Sequence, residues 1–136
     1  MDESSLKEIA RQLSCPVGEN GIATSKKMNA LNVFISQKTI EYLAPEQGES
    51  IIEIGPGNGL LSLPIIESIG AQGRYFGIDQ SADMARLAMS NLQNKACPCV
   101  DIICGDSSKA KVENSYADGL LAVNVLYFID DLTDFF

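Results

Sequence analysis

Ten residues constrain this chain more than any others: Ile51-Ile52-Glu53-Ile54-Gly55-Pro56-Gly57-Asn58-Gly59-Leu60. An isoleucine-rich run stops at alternating glycines, and a second apolar segment follows at once. Such a run predicts a buried parallel strand, and residues 60–69 predict the helix that carries the chain back. Glycines at the junction permit positive φ and remove side chains where backbone must approach a ligand. The helix N-terminus then offers unpaired N–H groups and a partial positive charge, a seat for a carboxylate or phosphate. The competing reading is a tight strand–helix turn that binds nothing.

The glycine spacing narrows the ligand. A dinucleotide fingerprint reads G-x-G-x-x-G or G-x-G-x-x-A, its last small residue letting helix and strand pack closely. Here the third glycine comes one position early, at Gly59, and Leu60 stands where the small residue belongs. Glu53, just ahead of the first glycine, repels a pyrophosphate and suits a cationic ligand. In this the sequence resembles the class I S-adenosyl-L-methionine (SAM) dependent methyltransferases, whose first motif reads acid-x-G-x-G-x-G, as Glu53-Ile54-Gly55-Pro56-Gly57-Asn58-Gly59 does. SAM carries a sulfonium, an ammonium and a carboxylate, so an acid beside backbone N–H groups matches its charges. An NAD- or nucleotide-binding domain is the weaker alternative, disfavoured by Gly59 and Leu60.

Length and charge limit the rest. A chain of 136 residues has room for one core. A net charge of -8 argues against strong electrostatic binding of DNA or RNA. No apolar run approaches the ~20 residues that span a bilayer. The start, Met1-Asp2-Glu3-Ser4-Ser5, lacks the basic residues and apolar core of a signal peptide, so a cytoplasmic location is expected. Cys15, Cys97, Cys99 and Cys104 lack zinc-ligand spacing and read as free thiols, and no metal is expected. The absence of histidine removes the commonest general base.

Ahead of the motif, Leu6, Ile9, Ala10 and Leu13 recur at helical spacing and predict a helix over 5–13 capped by Ser5. Proline and two glycines predict a loop over 15–21. Met28, Leu31, Phe34, Ile35, Ile40 and Leu43 predict one helix or two abutting ones over 28–43, ended by Pro45 and Gly48. Lys26-Lys27-Met28-Asn29 looks like a Met-Asn segment that precedes the first strand in some family members; an exposed capped loop is the alternative. The resemblance implies that residues 1–45 form a helical segment covering the site and that 46–136 form the SAM-binding, Rossmann-like half-domain.

After the motif, Pro64 inside the predicted helix calls for a bend or a late start. Arg74-Tyr75-Phe76-Gly77-Ile78-Asp79 predicts the second strand, ending on an acid about 20 residues past the glycines, where a carboxylate accepts from two ribose hydroxyls. Ser81 caps the next helix, whose buried face is Met84, Leu87, Ala88 and Leu92. The stretch from Asp79 also resembles the family's D-x-S-x-x-M-x-x-x-A, which implies that Asp79 holds the ribose and that Gln80 and Met84 lie near the adenosine. Residues 99–104 predict the third strand. The resemblance then implies that Asp106 accepts the adenine amino hydrogen, with Ser107 beside it. Residues 117–124 predict a fourth strand buried on both faces. At its end the resemblance implies that the Asn124 carbonyl meets the methionine amino group and that Tyr127 edges the acceptor pocket, a core aromatic being the alternative.

The fold expected is α/β: a doubly wound, Rossmann-like parallel sheet in order 3-2-1-4 with helices on both faces. The function implied is methyl transfer from SAM to a small-molecule acceptor, leaving S-adenosyl-L-homocysteine. No Pro-Pro follows Asn124, so the N-P-P-[YF] signature of amino-directed nucleic-acid methyltransferases is absent, and the stretch looks more like small-molecule members such as quinone C-methyltransferases. The family's sheet continues past a fourth strand. A truncated or partner-completed half-domain that binds SAM without turnover is therefore the alternative, and the apolar edge of the fourth strand is expected to recruit a second copy.

Overall fold

The structure, a computed structural model, describes residues 1–93, 99–110 and 117–125. Its sheet has four parallel strands, β1 (Ser50–Ile54), β2 (Arg74–Asp79), β3 (Cys99–Cys104) and β4 (Gly119–Ala122), in the order β3-β2-β1-β4. This is the 3-2-1-4 arrangement expected from the sequence, and right-handed crossovers make it the natural one.

Two helices precede the sheet. Helix α1 (Glu3–Ser14) begins earlier than its apolar spacing suggests, because Asp2 rather than Ser5 caps it, its Oδ1 accepting the Ser5 N–H at 2.7 Å. The loop expected over 15–21 shrinks to the three residues ahead of Gly18, for α2 (Gly18–Leu43) runs unbroken for 26 residues. Gly21 serves contact rather than a turn: a Cβ there would stand 2.7 Å from the Pro16 carbonyl carbon. The helix ends as its sequence predicts, with Ala44 left-handed at φ 47° and Pro45 next.

Two more helices follow β1 and β2. The chain leaves the glycines through a 3-10 turn at Leu60–Ser62, and α3 (Leu63–Ile69) starts only then. The late start puts Pro64 in the first helical turn, where its missing N–H costs nothing. Helix α4 (Ala82–Leu92) is capped by Ser81, whose side chain accepts the Met84 N–H at 3.2 Å.

The main core joins Ile51, Tyr75, Val100 and Leu121 of the sheet to Ile65, Ile66 and Ile69 of α3 and Leu92 of α4, with Ile40 and Leu43 of α2 packed against it. Helices α2, α3 and α4 thus share one face of the sheet. The other face carries Ile52, Ile54 and Ile78, flanked by Phe76, Ala110, Ala117, Ala122 and Val125. Strand β4 departs from expectation in two ways. It spans four residues rather than 117–124, and Leu120 is 50% exposed where burial on both faces was expected. Leu120 shares the face of its register partner Ile52, against which no helix packs among the described residues, so only Leu121, turned toward the α3 side, is sealed.

Fully buried isoleucines on α3 fasten the strand–glycine–helix unit to the sheet. Ile66→Ala is expected to lower unfolding free energy by about 2–5 kcal/mol, measured by denaturant unfolding.

Candidate functional site

The carboxyl ends of β1, β2 and β4 meet the glycine loop. Gly55 and Gly57 have φ of 69° and 60°, and the Gly55 N–H donates to the Ile78 carbonyl at 2.8 Å, so the loop folds back onto β2. Asp79 completes the junction. Its Oδ2 accepts the Gly57 N–H and its Oδ1 the Ser81 N–H, both at 2.9 Å. Burial pushes the Asp79 carboxyl above its ordinary range, and the two N–H donors oppose that rise. Glu53 is buried as well. Its Oε2 accepts from the Ser62 and Tyr75 hydroxyls, both at 2.6 Å. Desolvation raises this carboxyl too, the two hydroxyls lower it, and the Asp79 charge adds to the rise.

Helix α2 roofs the junction with an uncharged stripe. Ser25, Met28, Asn29, Asn32 and Ser36 recur every three or four residues and all line the cleft. Asn29 Nδ2 donates to Asn58 Oδ1 at 2.9 Å, and Asn124 Nδ2 donates to Asn32 Oδ1 at 2.8 Å. The roof therefore grips both the glycine loop and the end of β4. The turn between α1 and α2 is pinned to the start of α4: Ser81 Oγ donates to the Pro16 carbonyl, and the Gly18 N–H donates to Asp83 Oδ2 at 2.8 Å. Sequence reasoning expected this segment to cover the site but read its helix from apolar spacing alone and did not single out the polar stripe. Leu31 and Phe34 are 82% and 66% exposed. The polar recurrence from Ser25 to Ser36 was the available signal.

The cleft measures about 930 Å³, open solvent at its mouth included. Of the residues expected at the site, Glu53, Gly55, Gly57, Asp79, Gln80, Met84, Ser107 and Asn124 line it. Gly59 and Asp106 are placed otherwise. Gly59 faces α4, where a Cβ would stand 3.0 Å from Ala88 Cα. Asp106 caps the turn at Ser107–Lys109, its Oδ1 accepting the Ser108 N–H at 3.0 Å and hydroxyl at 2.7 Å. Tyr127 and Cys97 lie outside the described residues. Among the described residues, the charged members of the lining are Glu53 and Asp79, with no lysine or arginine. Among the described residues, an anionic group entering the cleft would have backbone N–H groups and neutral side chains, and no cation, to receive it. Gly57 is the cradle position: nothing lies within 4 Å of where a Cβ would stand, so a side chain there would enter open cleft. These features fit SAM. Cys15 and Cys104 are free thiols, and no described group of His, Cys, Asp and Glu is placed to hold a metal ion.

Residues 51–136 match the family model described as a methyltransferase domain. The chain belongs to the class I SAM-dependent methyltransferases. Similar to it among curated proteins is a protein-L-isoaspartate O-methyltransferase from Methanococcus vannielii, 30% identical over 57% of this chain and 37% of that protein. The chain thus spans little more than a third of that relative. Among solved structures it is similar to the methyltransferase in complex with the Haloferax volcanii Trm112 methyltransferase activator, at TM-score 0.72 and 16% identity, over 93% of this chain and 51% of that one. A SAM-dependent methyltransferase from Aquifex aeolicus aligns at TM-score 0.68 and 18% identity, over 83% and 62%. This methyltransferase-family chain therefore carries β1, its glycine loop and the acid at the end of β2 in the family's fold.

The last two loop glycines should separate on substitution. In Gly59→Ala the new Cβ meets the α4 backbone and the left-handed φ of 81° is strained, so stability should fall by about 2–4 kcal/mol. In Gly57→Ala only the backbone strain of about 1–2 kcal/mol applies, and the new methyl projects into the cleft. Thermal unfolding of both, with SAM titration of Gly57→Ala, checks this: Gly59→Ala should melt lower, and Gly57→Ala should lose more affinity than its unfolding loss explains.

Proposed function

We propose that the cleft binds SAM and presents it for methyl transfer to a small-molecule acceptor. The carrying observation is a glycine-lined cleft whose charged side chains, among the described residues, are two buried carboxylates. That charge balance favours a ligand with cationic centres over a pyrophosphate, which argues against NAD. In this reading Glu53 meets the positively charged methionine end and Gly55 and Gly57 let the backbone approach. The Asn124 carbonyl takes the amino group. The free lone pairs of Asp79 take the ribose hydroxyls, which adds to its hold on Gly57 and Ser81. Gln80, Met84 and Ser107 flank the adenosine. Ser107 reaches the cleft where Asp106 was expected to.

When bound, SAM supplies an already activated methyl group, so the work left to the chain is orientation and exclusion of water. Residues 1–45 serve as the cover and 46–136 as the cofactor-binding half. The roof of α2 narrows access from above, which supports a small acceptor over a polymer, and the charge of -8 argues further against RNA. A second copy pairing along β4 would shield Leu120, and light scattering tests for it.

Calorimetric titration should show SAM and S-adenosyl-L-homocysteine binding at least about tenfold more tightly than NAD. Tighter binding of NAD would overturn the reading. A turnover assay with a small-molecule acceptor panel, an isoaspartyl peptide and an RNA fragment tests the acceptor class; methylation of the peptide or RNA alone would refute it.

A further inference from the structure

Glu53, Tyr75 and Ser62 stand on three different elements and meet at one atom. The β1–β2 register sets Tyr75 opposite Ile51 and Gly77 opposite Glu53, so the tyrosine ring must run forward along the sheet to reach the carboxylate. Gly77 leaves the room. A Cβ there would stand 3.4 Å from Tyr75 Cε1 and 3.2 Å from Pro56 Cγ. Ser62 arrives from the other side because the 3-10 turn at Leu60–Ser62 delays α3. Tyr75 and Ser62 are fully buried, Glu53 nearly so, and both hydroxyls donate to Oε2 at 2.6 Å, the short range of bonds to an ionised acceptor.

A sheet core has no packing need for such a carboxylate, since an apolar residue of like volume is commonly as stable or more so. Glu53 also lines the cleft. We infer that Tyr75 and Ser62 are positioning residues for SAM binding: by occupying Oε2 they fix the Glu53 carboxylate and leave Oε1 to meet the positively charged methionine end of the cofactor. This rests on the SAM reading above.

The arrangement has a pH signature. Among the described residues, the titratable groups that face Glu53 are Tyr75 and Asp79, both on β2. On β4 its register partner is Leu121, and the cleft face of α2 is uncharged. Tyr75 is held well above the ordinary phenol range by its own burial and by Glu53, so it remains a donor through neutral pH. Burial raises the Glu53 carboxyl and the two hydroxyls pull it back down. Deleting either hydroxyl therefore raises it further. A cation needs the ionised carboxylate, so affinity climbs as pH rises through the Glu53 titration, and each deletion moves that climb to higher pH.

The test titrates SAM, S-adenosyl-L-homocysteine and 5′-methylthioadenosine into wild type, Tyr75→Phe and Ser62→Ala from about pH 5 to about pH 8. The last probe keeps the adenosine and lacks the charged amino-acid end. The expected result is that both variants bind SAM and S-adenosyl-L-homocysteine about tenfold more weakly than wild type at the acid end and converge on it at the alkaline end, a tenfold change corresponding to about one pKa unit. Binding of 5′-methylthioadenosine should be unchanged throughout. If all three probes weaken alike at every pH, or if melting temperature falls with no change in any affinity, the hydroxyls only support the fold and the inference fails while the SAM reading stands. If wild type binds none of the three, the SAM reading itself fails, and this inference with it.

Discussion

Asp79 is the clasp on which the site depends. One carboxylate at the end of β2 accepts two backbone N–H groups, from Gly57 in the loop after β1 and from Ser81 at the start of α4. Two neighbouring strands, the glycine loop and a helix N-terminus are thereby tied at a single residue. The bonds are charge-assisted and shielded from water, which makes each stronger than a neutral one. The same burial opposes the charge, and the N–H donors are what keep it tolerable. An acid already oriented by the backbone needs little rearrangement to accept further donors on its remaining lone pairs.

Around that clasp the molecule divides its labour by polarity. The C-terminal end of α2 is a core helix, with Ile40 and Leu43 against the sheet. Its earlier turns form a roof of serine and asparagine. Asparagine suits this position because its amide donates and accepts at once, so Asn29 and Asn32 meet Asn58 and Asn124 without adding charge. A lysine or arginine here would change the charge the cleft offers a ligand. The apolar side of these turns, Leu31 and Phe34 among them, faces outward.

The glycines divide their roles in the same way. Gly55 and Gly57 border the cleft, whereas Gly59 lets α4 approach the loop closely. A spacing that looks uniform along the chain thus borders the cleft at two positions and serves helix packing at the third.

Much of this was legible in the chain itself. The isoleucine run, the glycines and the acids at Glu53 and Asp79 determine strand, loop and helix by local rules, and parallel strands joined by helices admit few orders. Ser81 and Pro64 mark helix starts through backbone chemistry that acts over one turn, so they too could be read directly. Contacts between distant segments could not. Apolar spacing reports the amphipathic period of α2 but not which side meets protein, because a helix over a polar cleft reverses the usual preference. Nothing local shows that Tyr75 reaches Glu53, that Gly59 serves α4, or that Ser107 rather than Asp106 lines the cleft. Those outcomes are set by strand register and by side-chain direction in three dimensions, which only the tertiary structure decides.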